Sequence, residues 1–141
     1  MVTKYQKRIS GPLLDRIDIH IEVPRVDYEK LSSDRVSETS ETIRSRVQAA
    51  REIQNKRFAN GEAKDIVCNA DMRVGEVRKF CKLQAEGQSL MRAAMSQLNL
   101  SARAYHRILK LARTIADLAG SEEIQSAYLA EALQYRPKLM L

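Results

Sequence analysis

The sequence has no tryptophan and few residues that break or cross-link a chain: five glycines, three prolines and two cysteines among 141 residues. Cys68 and Cys81 stand thirteen positions apart, no CxxC pair occurs and only two histidines are present. We therefore expect neither a disulfide framework nor a structural zinc site. No apolar run approaches the roughly 18 residues of a membrane span, and the polar, basic N-terminus is unlike a signal peptide. These absences predict a protein of the reducing cytoplasm with no membrane partner.

Charge, by contrast, is plentiful. Lysine and arginine number 24 against 18 aspartates and glutamates, a net charge of +6, and the excess is spread along the chain. This charge is compatible with a polyanionic partner but does not require one. Hydrophobic residues make up 44% of the sequence, which is enough for a sizeable core. With so little glycine and proline, the composition favours a compact, mainly helical unit.

One segment near the N-terminus has the pattern of a β-strand. Residues 17–23 alternate between apolar and polar, with β-branched residues on the apolar side, and Pro24 follows. This alternation predicts a half-buried strand. A strand needs a neighbour for its backbone donors and acceptors, and the rest of the chain contains no second convincing strand. Either this segment packs loosely here or its sheet lies in a missing N-terminal region, and we favour the second option. We therefore divide the chain into 1–25, the tail of that region, and 26–141, a helical domain.

From Ser37 onward the apolar residues recur at helical spacing, so the fold class is predicted to be mainly α. Gly61 and Gly120 are expected to end the two long helices, and Ser101 to cap the second of them. Ser121, followed by two glutamates, is predicted to cap the last helix. The predicted helices are 37–59, 74–81, 90–98, 101–119 and one that begins after Ser121. The expected architecture is a bundle of about five helices preceded by one orphan strand.

The helix that begins at Ser101 separates its apolar residues from its cations. At 100° per residue, the cations on the polar side are Arg103, Arg107, Lys110 and, at the margin, Arg113. Arg103 lies in the first turn, where free backbone N–H groups and the helix dipole already create positive potential. A cation there is mildly unfavourable unless an anion such as a phosphate docks at the same helix end. The alternative is an ordinary solvated basic face.

Two further sets of cations occupy positions where they could meet a ligand. Arg16 stands between a Gly-Pro turn and the predicted strand, so it can project towards a neighbour; the alternative is a surface arginine paired with Asp15 or Asp18. The cations of the long helix are interpreted as a solvated face or, in a ring, as the lining of a DNA channel. They are Arg44, Arg46, Arg51, Lys56 and Arg57.

Four blocks of sequence become informative when they are read together. They are SGPLLDRID (10–18), NLSARAYHRI (99–108), ARTIADL (112–118) and EALQYR (131–136). The ordered set resembles the C-terminal part of the magnesium-chelatase-like AAA+ ATPases, and within that family the competence-protein ComM/YifB group. The resemblance covers nearly the whole chain, and the ordered set is far more specific than any one block.

The resemblance implies a nucleotide-binding α/β core followed by a helical lid. Such proteins assemble into rings, commonly hexamers, with ATP and Mg²⁺ at the subunit boundaries. By its place in LLDRID, Arg16 resembles the arginine finger that reaches the γ-phosphate held by the next subunit. By its place in LSAR, Arg103 resembles the sensor-2 arginine of the lid, and Arg107 is a further nucleotide-binding candidate. Residues 1–25 would then be the tail of the AAA+ core and 26–141 the lid.

The chain departs from this family in one large respect. The Walker A loop, the Walker B acidic pair and the sensor-1 residue have no counterpart in it, and no GxxxxGK[ST] occurs. We therefore expect the chain alone to be inactive and to hold no cofactor. For the complete protein, the resemblance implies ATP-driven work on DNA in natural transformation and recombination, such as branch migration, in partnership with its own ATPase core.

Three alternatives stay open on the sequence alone. One is a magnesium chelatase subunit, and another is a helical interaction domain with no ligand. The third is a stand-alone helix-turn-helix DNA-binding module, formed by helix 85–98 and the arginine-bearing helix after it. Among other residue types, His20 and His106 lack a catalytic partner at an interpretable spacing, and Cys81 on an apolar face is predicted to be a core residue.

Overall fold

The computed structural model describes residues 9–33, 36–61 and 65–136, and this part of the chain is mainly helical. Its α-helices are α1 (Gly11–Leu14), α2 (Tyr28–Leu31), α3 (Ser40–Phe58), α4 (Val74–Phe80), α5 (Ala85–Gln97), α6 (Ala102–Leu118) and α7 (Ser126–Gln134), and a 3-10 turn covers Asn69–Asp71. The five predicted helices correspond to α3 to α7, which confirms the prediction of a mainly α bundle. The single-turn helices α1 and α2 have no signal in the hydrophobic pattern. The division of the chain after residue 25 stays a prediction.

The segment predicted as a strand carries no regular secondary structure. Among the described residues, no strand pairs with residues 17–23. The apolar side chains of this segment are exposed, from 40% at Ile17 to 84% at Val23. A strand forms only where a neighbour accepts its backbone hydrogen bonds, and the sequence placed that neighbour outside this chain. The strand therefore stays a prediction.

Helix α6 is the centre of the bundle. It packs against α3, α4, α7 and the 3-10 turn, while α5 packs against α7. The Ser101 hydroxyl accepts a hydrogen bond from the Ala104 amide at 3.1 Å, which confirms Ser101 as the N-cap of α6. The buried apolar residues of α6 are Ala104, Ile108, Leu109, Ala112 and Ala116. Three of these five residues are alanines, so the neighbouring helices can approach α6 closely.

The end of α6 determines how the chain enters α7. Gly120 has a φ of 68°, and the Ser121 amide donates to the Ala116 carbonyl at 2.9 Å, which is the Schellman arrangement. The prediction that Ser121 caps the last helix is wrong, because α7 begins five residues later, after its N-cap Gln125. Residues 121–124 instead form a turn, in which Ile124 is buried and forms an isolated parallel β-bridge with Leu83. The turn is imposed by this burial and by the hydrogen bonds described next.

A buried carboxylate joins the long helices. Asp117, in the last turn of α6, is 2% exposed. Its Oδ1 accepts from Arg57 of α3 at 2.5 Å and from Arg113 at 3.1 Å, and its Oδ2 accepts from Arg57 at 2.7 Å and from Asn69 at 2.8 Å. Arg113 also donates to the Ser121 and Glu122 carbonyls, at 2.6 and 2.7 Å. One carboxylate therefore links α3, the 3-10 turn, α6 and the turn before α7.

Two sequence interpretations change because of this network. The interpretation of Arg57 as part of a solvated face of the long helix is wrong, since its guanidinium binds Asp117. The helical period puts Arg113 at the margin of a polar face, yet it is buried at 4% exposure. The remaining cations of the α3 set are exposed. The opposite charge that attracts Arg57 lies sixty positions away in sequence, so no local pattern could indicate it.

Replacing Asp117 by asparagine is expected to destabilise the fold strongly. The side chain keeps its shape but loses its charge, which leaves Arg57 and Arg113 with no buried anion. We expect the free energy of unfolding, measured with urea by circular dichroism, to fall by about 3–5 kcal/mol. The control is Glu52→Gln on the exposed side of α3, which should change it by less than about 0.5 kcal/mol. A loss for Asp117→Asn no larger than that of the control would contradict the network's importance.

Cys81 lies in the same core and is 4% exposed, as predicted. Burial is the main cause that raises the pKa of its thiol to about 11, against the lowering influence of Arg113 and Arg57. The folded protein therefore holds this proton up to about pH 11, whereas an unfolded thiol releases it near pH 8.5. The stability that Cys81 contributes is complete below the unfolded pKa and is lost as pH rises through the folded one.

Thiol labelling should distinguish the two cysteines, both of which are free. With a disulfide reagent at pH 8, we expect the partly exposed Cys68 to react in the folded protein and Cys81 to react only in denaturant. Cys68→Ser should abolish the native reaction, and Cys81→Ser should leave it unchanged. Two thiols reacting at equal rates in the folded protein would show that the Cys81 environment is not closed.

Candidate functional site

The segment that carries Arg16 is bound to the first half of α6. Asp15 accepts a hydrogen bond from the Ser101 hydroxyl at 3.2 Å. Arg107, in the second turn of α6, forms an ion pair with Asp18 at 2.7 Å and donates from the same Nη1 to the Arg16 carbonyl at 2.8 Å. The structure thus brings together two of the four sequence blocks, one on each side of these contacts.

The end of α7 binds the next residues of the same segment. The Arg136 guanidinium donates to the Ile17 carbonyl at 3.2 Å. The His20 amide donates to the Tyr135 carbonyl at 2.8 Å, and the His20 ring lies 3.3 Å from the same oxygen. The contacts therefore extend from residue 15 to residue 20, and they involve both α6 and α7.

Arg16 and Arg103 are the predicted site residues whose guanidinium groups are uncommitted. Both side chains are exposed. Within residues 9–33, 36–61 and 65–136, neither guanidinium makes a hydrogen bond or an ion pair. The contact between Arg16 and Arg107 involves the Arg16 carbonyl and not its side chain. The anticipated pairing of Arg16 with Asp15 or Asp18 is absent from this part of the chain, since those carboxylates bind Ser101 and Arg107. Arg16 and Arg103 are thus available to an external anion.

An open groove of about 450 Å³ runs beside α6. Three cations of α6 line it, Arg103, Arg107 and Lys110, whereas Asp18 is the single carboxylate among its lining residues. Lys110 donates to the Ala70 carbonyl at 2.8 Å, so its position is fixed. The first turn of α6 contains no acidic residue, and its N-terminal dipole adds to the positive potential. The groove is suited to an anion near Arg103.

These contacts do not support α6 as a DNA recognition helix. Such a helix needs a free face that enters the major groove. Of its three predicted outward cations, Arg107 is paired with Asp18 and Lys110 is bonded to Ala70, which leaves Arg103. The histidines play no visible catalytic part: His20 contacts a backbone carbonyl, and the ring of His106 packs against that of Tyr105 at 5.2 Å.

Sequence reasoning missed Arg136 as a candidate for the site. It lies in the EALQYR block, but the sequence indicates no role for it. Its burial at 8% exposure is the feature that draws attention to it. The feature of the sequence that could have indicated it is an arginine directly after an apolar helix and next to Tyr135. That signal is weak, because arginines are common near helix ends.

The described part of the chain contains neither a candidate metal site nor a helix that could span a membrane. The described residues include no group of three or more His, Cys, Asp or Glu side chains arranged to hold a metal ion. No helix in the described ranges is both long and apolar enough to cross a membrane.

Comparison with known proteins agrees with the four blocks. The family described as "Magnesium chelatase, subunit ChlI C-terminal" matches residues 37–136, and the family described as "Magnesium chelatase, subunit ChlI" matches residues 1–31. Competence protein ComM of Haemophilus influenzae is 42% identical over 142 residues, which covers 99% of this chain and 26% of that protein. YifB of Escherichia coli is 42% identical over 134 residues, covering 94% of this chain and 25% of that protein.

A further relative is less similar in sequence. The protein Mb2921c of Mycobacterium bovis is 30% identical over 133 residues, which covers 94% of this chain and 26% of that protein. The chain thus spans about a quarter of the length of the curated relatives it matches. With matches over residues 1–31 and 37–136, the chain belongs to the magnesium chelatase ChlI family and corresponds to its C-terminal region, of the ComM/YifB kind.

Proposed function

We propose that this chain is the lid of a ComM-type AAA+ ATPase and supplies two arginines for ATP hydrolysis. The observation that carries the proposal is the state of Arg16 and Arg103. Both guanidinium groups are exposed and uncommitted within the described residues, while the residues around them are held by specific bonds. Free cations on a fixed framework are what the stabilisation of a phosphate in a transition state requires.

Arg103 is assigned the sensor-2 role. It stands in the first turn of α6, in a groove where cations outnumber carboxylates, and backbone N–H groups there also favour an anion. Arg107 is assigned a secondary part in nucleotide binding. Both of its bonds to protein use Nη1, so Nη2 and Nε can still donate to a phosphate oxygen. Its charge is shared with Asp18, which makes it a weaker phosphate ligand than Arg103.

Arg16 is assigned the role of arginine finger for the neighbouring subunit. A guanidinium stabilises negative charge on a transferring phosphoryl group when its position is fixed. The Arg16 carbonyl is held by Arg107, which restricts the backbone while the side chain stays exposed. The ATP and Mg²⁺ on which the finger acts belong to the ATPase core, because the motifs that would bind them are missing from this sequence.

The partners proposed for the chain are its own ATPase core and copies of itself in a ring, expected to be a hexamer. The exposed apolar side chains of residues 17–23 support a sheet partner supplied by the core. The curated relatives are about four times as long as this chain, since it covers 26% of the first of them. That extra length is sufficient for a nucleotide-binding core.

The expected test is hydrolysis by the longer protein. Arg16→Ala should lower kcat for ATP about 1,000-fold while ATP binding is retained, because an arginine finger acts on the transition state. Arg103→Ala should lower kcat and weaken ATP binding, with an unchanged thermal melt. Arg92→Ala, an exposed arginine of α5 with no partner in the described chain, is the matched control and should behave like wild type.

The outcomes separate the roles. Unchanged turnover in Arg16→Ala would remove the finger assignment. Collapse of the thermal melt in Arg103→Ala would make that residue structural and remove its sensor-2 assignment. An Arg92→Ala variant as inactive as Arg16→Ala would mean that the lid responds to any loss of positive charge.

DNA is proposed as the substrate on which the ring performs work. The name of the Haemophilus influenzae relative, competence protein ComM, supports this proposal, and so do the exposed cations of α3, which can contact phosphates. They are Arg44, Arg51 and Lys56.

Strand exchange on a four-way DNA junction tests the DNA proposal directly. The longer protein with ATP should convert the junction into two duplexes, and Arg16→Ala should not, although it still binds ATP. Hydrolysis of ATP without any junction product, under conditions of low and physiological salt, would contradict branch migration and leave the ATPase assignment intact.

A further inference from the structure

The backbone that follows the Arg16 side chain is held from two places in the helical domain, α6 and the residues after α7. The carbonyl of Arg16 accepts from Arg107 of α6 at 2.8 Å, and the carbonyl of the next residue, Ile17, accepts from Arg136 beyond α7 at 3.2 Å. These are consecutive peptide groups in a stretch without regular secondary structure. The Ile17 amide also donates to the Leu14 carbonyl of α1 at 3.2 Å, so local bonds shape this turn, and the two guanidinium groups attach it to the helical domain.

We propose that Arg107 and Arg136 are positioning residues, which fix the Arg16 backbone to the helical domain so that Arg16 and Arg103 move as one unit. This inference rests on the proposed function, since it concerns how the finger is placed. It assigns a role to Arg136, whose side chain contacts the segment and not the groove around Arg103.

The surroundings of Arg136 favour a positional role over a stabilising one. The residue is 8% exposed, and its Nη2 is buried with no hydrogen-bond partner in the described residues. Burial lowers the pKa of its guanidinium, which the nearby Asp15 and Asp18 partly oppose. A buried cation with an unsatisfied donor costs free energy. An apolar side chain would pack there at lower cost, but it could not bind the Ile17 carbonyl.

A second set of contacts to residues 15–18, independent of Arg136, comes from α6 and its N-cap. Asp18 pairs with Arg107, and Asp15 accepts from Ser101, the N-cap of α6. Both carboxylates flank Arg16 in sequence, so three contacts connect the finger segment to the first two turns of one helix. Arg103 lies one turn before Arg107 on the same helix and lines the same groove.

The consequence is a direct mechanical connection between two nucleotide sites. When a phosphate binds Arg103 and α6 shifts, the Arg16 backbone must move with α6, because Arg107 connects the two. Arg136 holds the Ile17 carbonyl and so keeps the segment bound to the helical domain during this movement. A packed helix transmits such a displacement without bending. Each subunit would then report the state of the site at Arg103 to the interface that Arg16 enters.

Steady-state kinetics of the longer protein test the positioning role. In Arg136→Gln, kcat for ATP should fall about tenfold to a hundredfold, since a finger misplaced by about 1 Å loses most of its effect. KM for ATP should stay within about twofold, because Arg136 does not contact the nucleotide. Arg136→Lys keeps a cationic donor for the Ile17 carbonyl and should recover part of kcat. Arg92→Gln is the matched control with an exposed arginine.

A second variant and a second measurement separate positioning from misfolding. Asp18→Asn changes an exposed side chain, so the fold should persist, and it should lower kcat about threefold by loosening Arg107. In the 141-residue chain, hydrogen exchange of the His20 amide, which donates to Tyr135, should accelerate at least about tenfold in Arg136→Gln. The amide of Ala112 in the centre of α6 should keep its protection.

The results distinguish this inference from the function on which it rests. If Arg16→Ala leaves turnover intact, the finger assignment and this inference both fail. If Arg16→Ala is inactive while Arg136→Gln and Asp18→Asn turn over ATP like wild type, the positioning role alone is wrong. Faster exchange at His20 with an unchanged kcat also overturns it, and so does a rise in KM that accounts for the whole loss.

Discussion

The fold depends on the carboxylate of Asp117. Its two oxygens accept four hydrogen bonds from Arg57, Arg113 and Asn69. These donors belong to α3, α6 and the 3-10 turn, respectively. The buried Arg113 and the partly buried Arg57 would repel each other in a medium of low dielectric, so the anion between them is what allows α3, the 3-10 turn and α6 to meet. Because Arg113 also binds the carbonyls after Gly120, the same carboxylate indirectly fixes the entrance to α7.

The candidate site lies at the other end of the same helix. The C-terminal end of α6 is immobilised by the Asp117 network, whereas its N-terminal end presents Arg103 and binds the Arg16 segment through Ser101 and Arg107. A helix of seventeen residues is rigid over this distance. The network therefore gives α6 a fixed base from which the two uncommitted arginines are presented. Arg113 and Arg103 thus occupy the same helix and differ in whether an internal acceptor is within reach, and the second is the one for which a functional role is proposed.

Much of the bundle follows from local signals in the sequence. The 3.6-residue period located α3 to α7, Ser101 was recognised as an N-cap, and Gly120 as a helix end, because each depends on residues a few positions away. The long helix ends at Phe58, within one residue of the prediction. Arg16 and Arg103 were also selected from sequence, Arg103 for its place at a helix end and both for the motifs in which they occur. Their exposure in the structure leaves them free for the proposed roles.

The sequence by itself determined the helices, the N-cap at Ser101, the helix end at Gly120 and the family, whereas the tertiary structure decided which arginines are structural. Arg57 and Arg113 carry the same charge as Arg103, and periodicity places Arg113 near the same face. Only the folded chain brings a carboxylate from sixty positions away to Arg57, and a carbonyl from 119 positions away to Arg136. The physical reason is the distance along the sequence over which each interaction acts. Helical propensity and capping act over a few residues, but the burial of a charge is tolerated only where the fold supplies its partner.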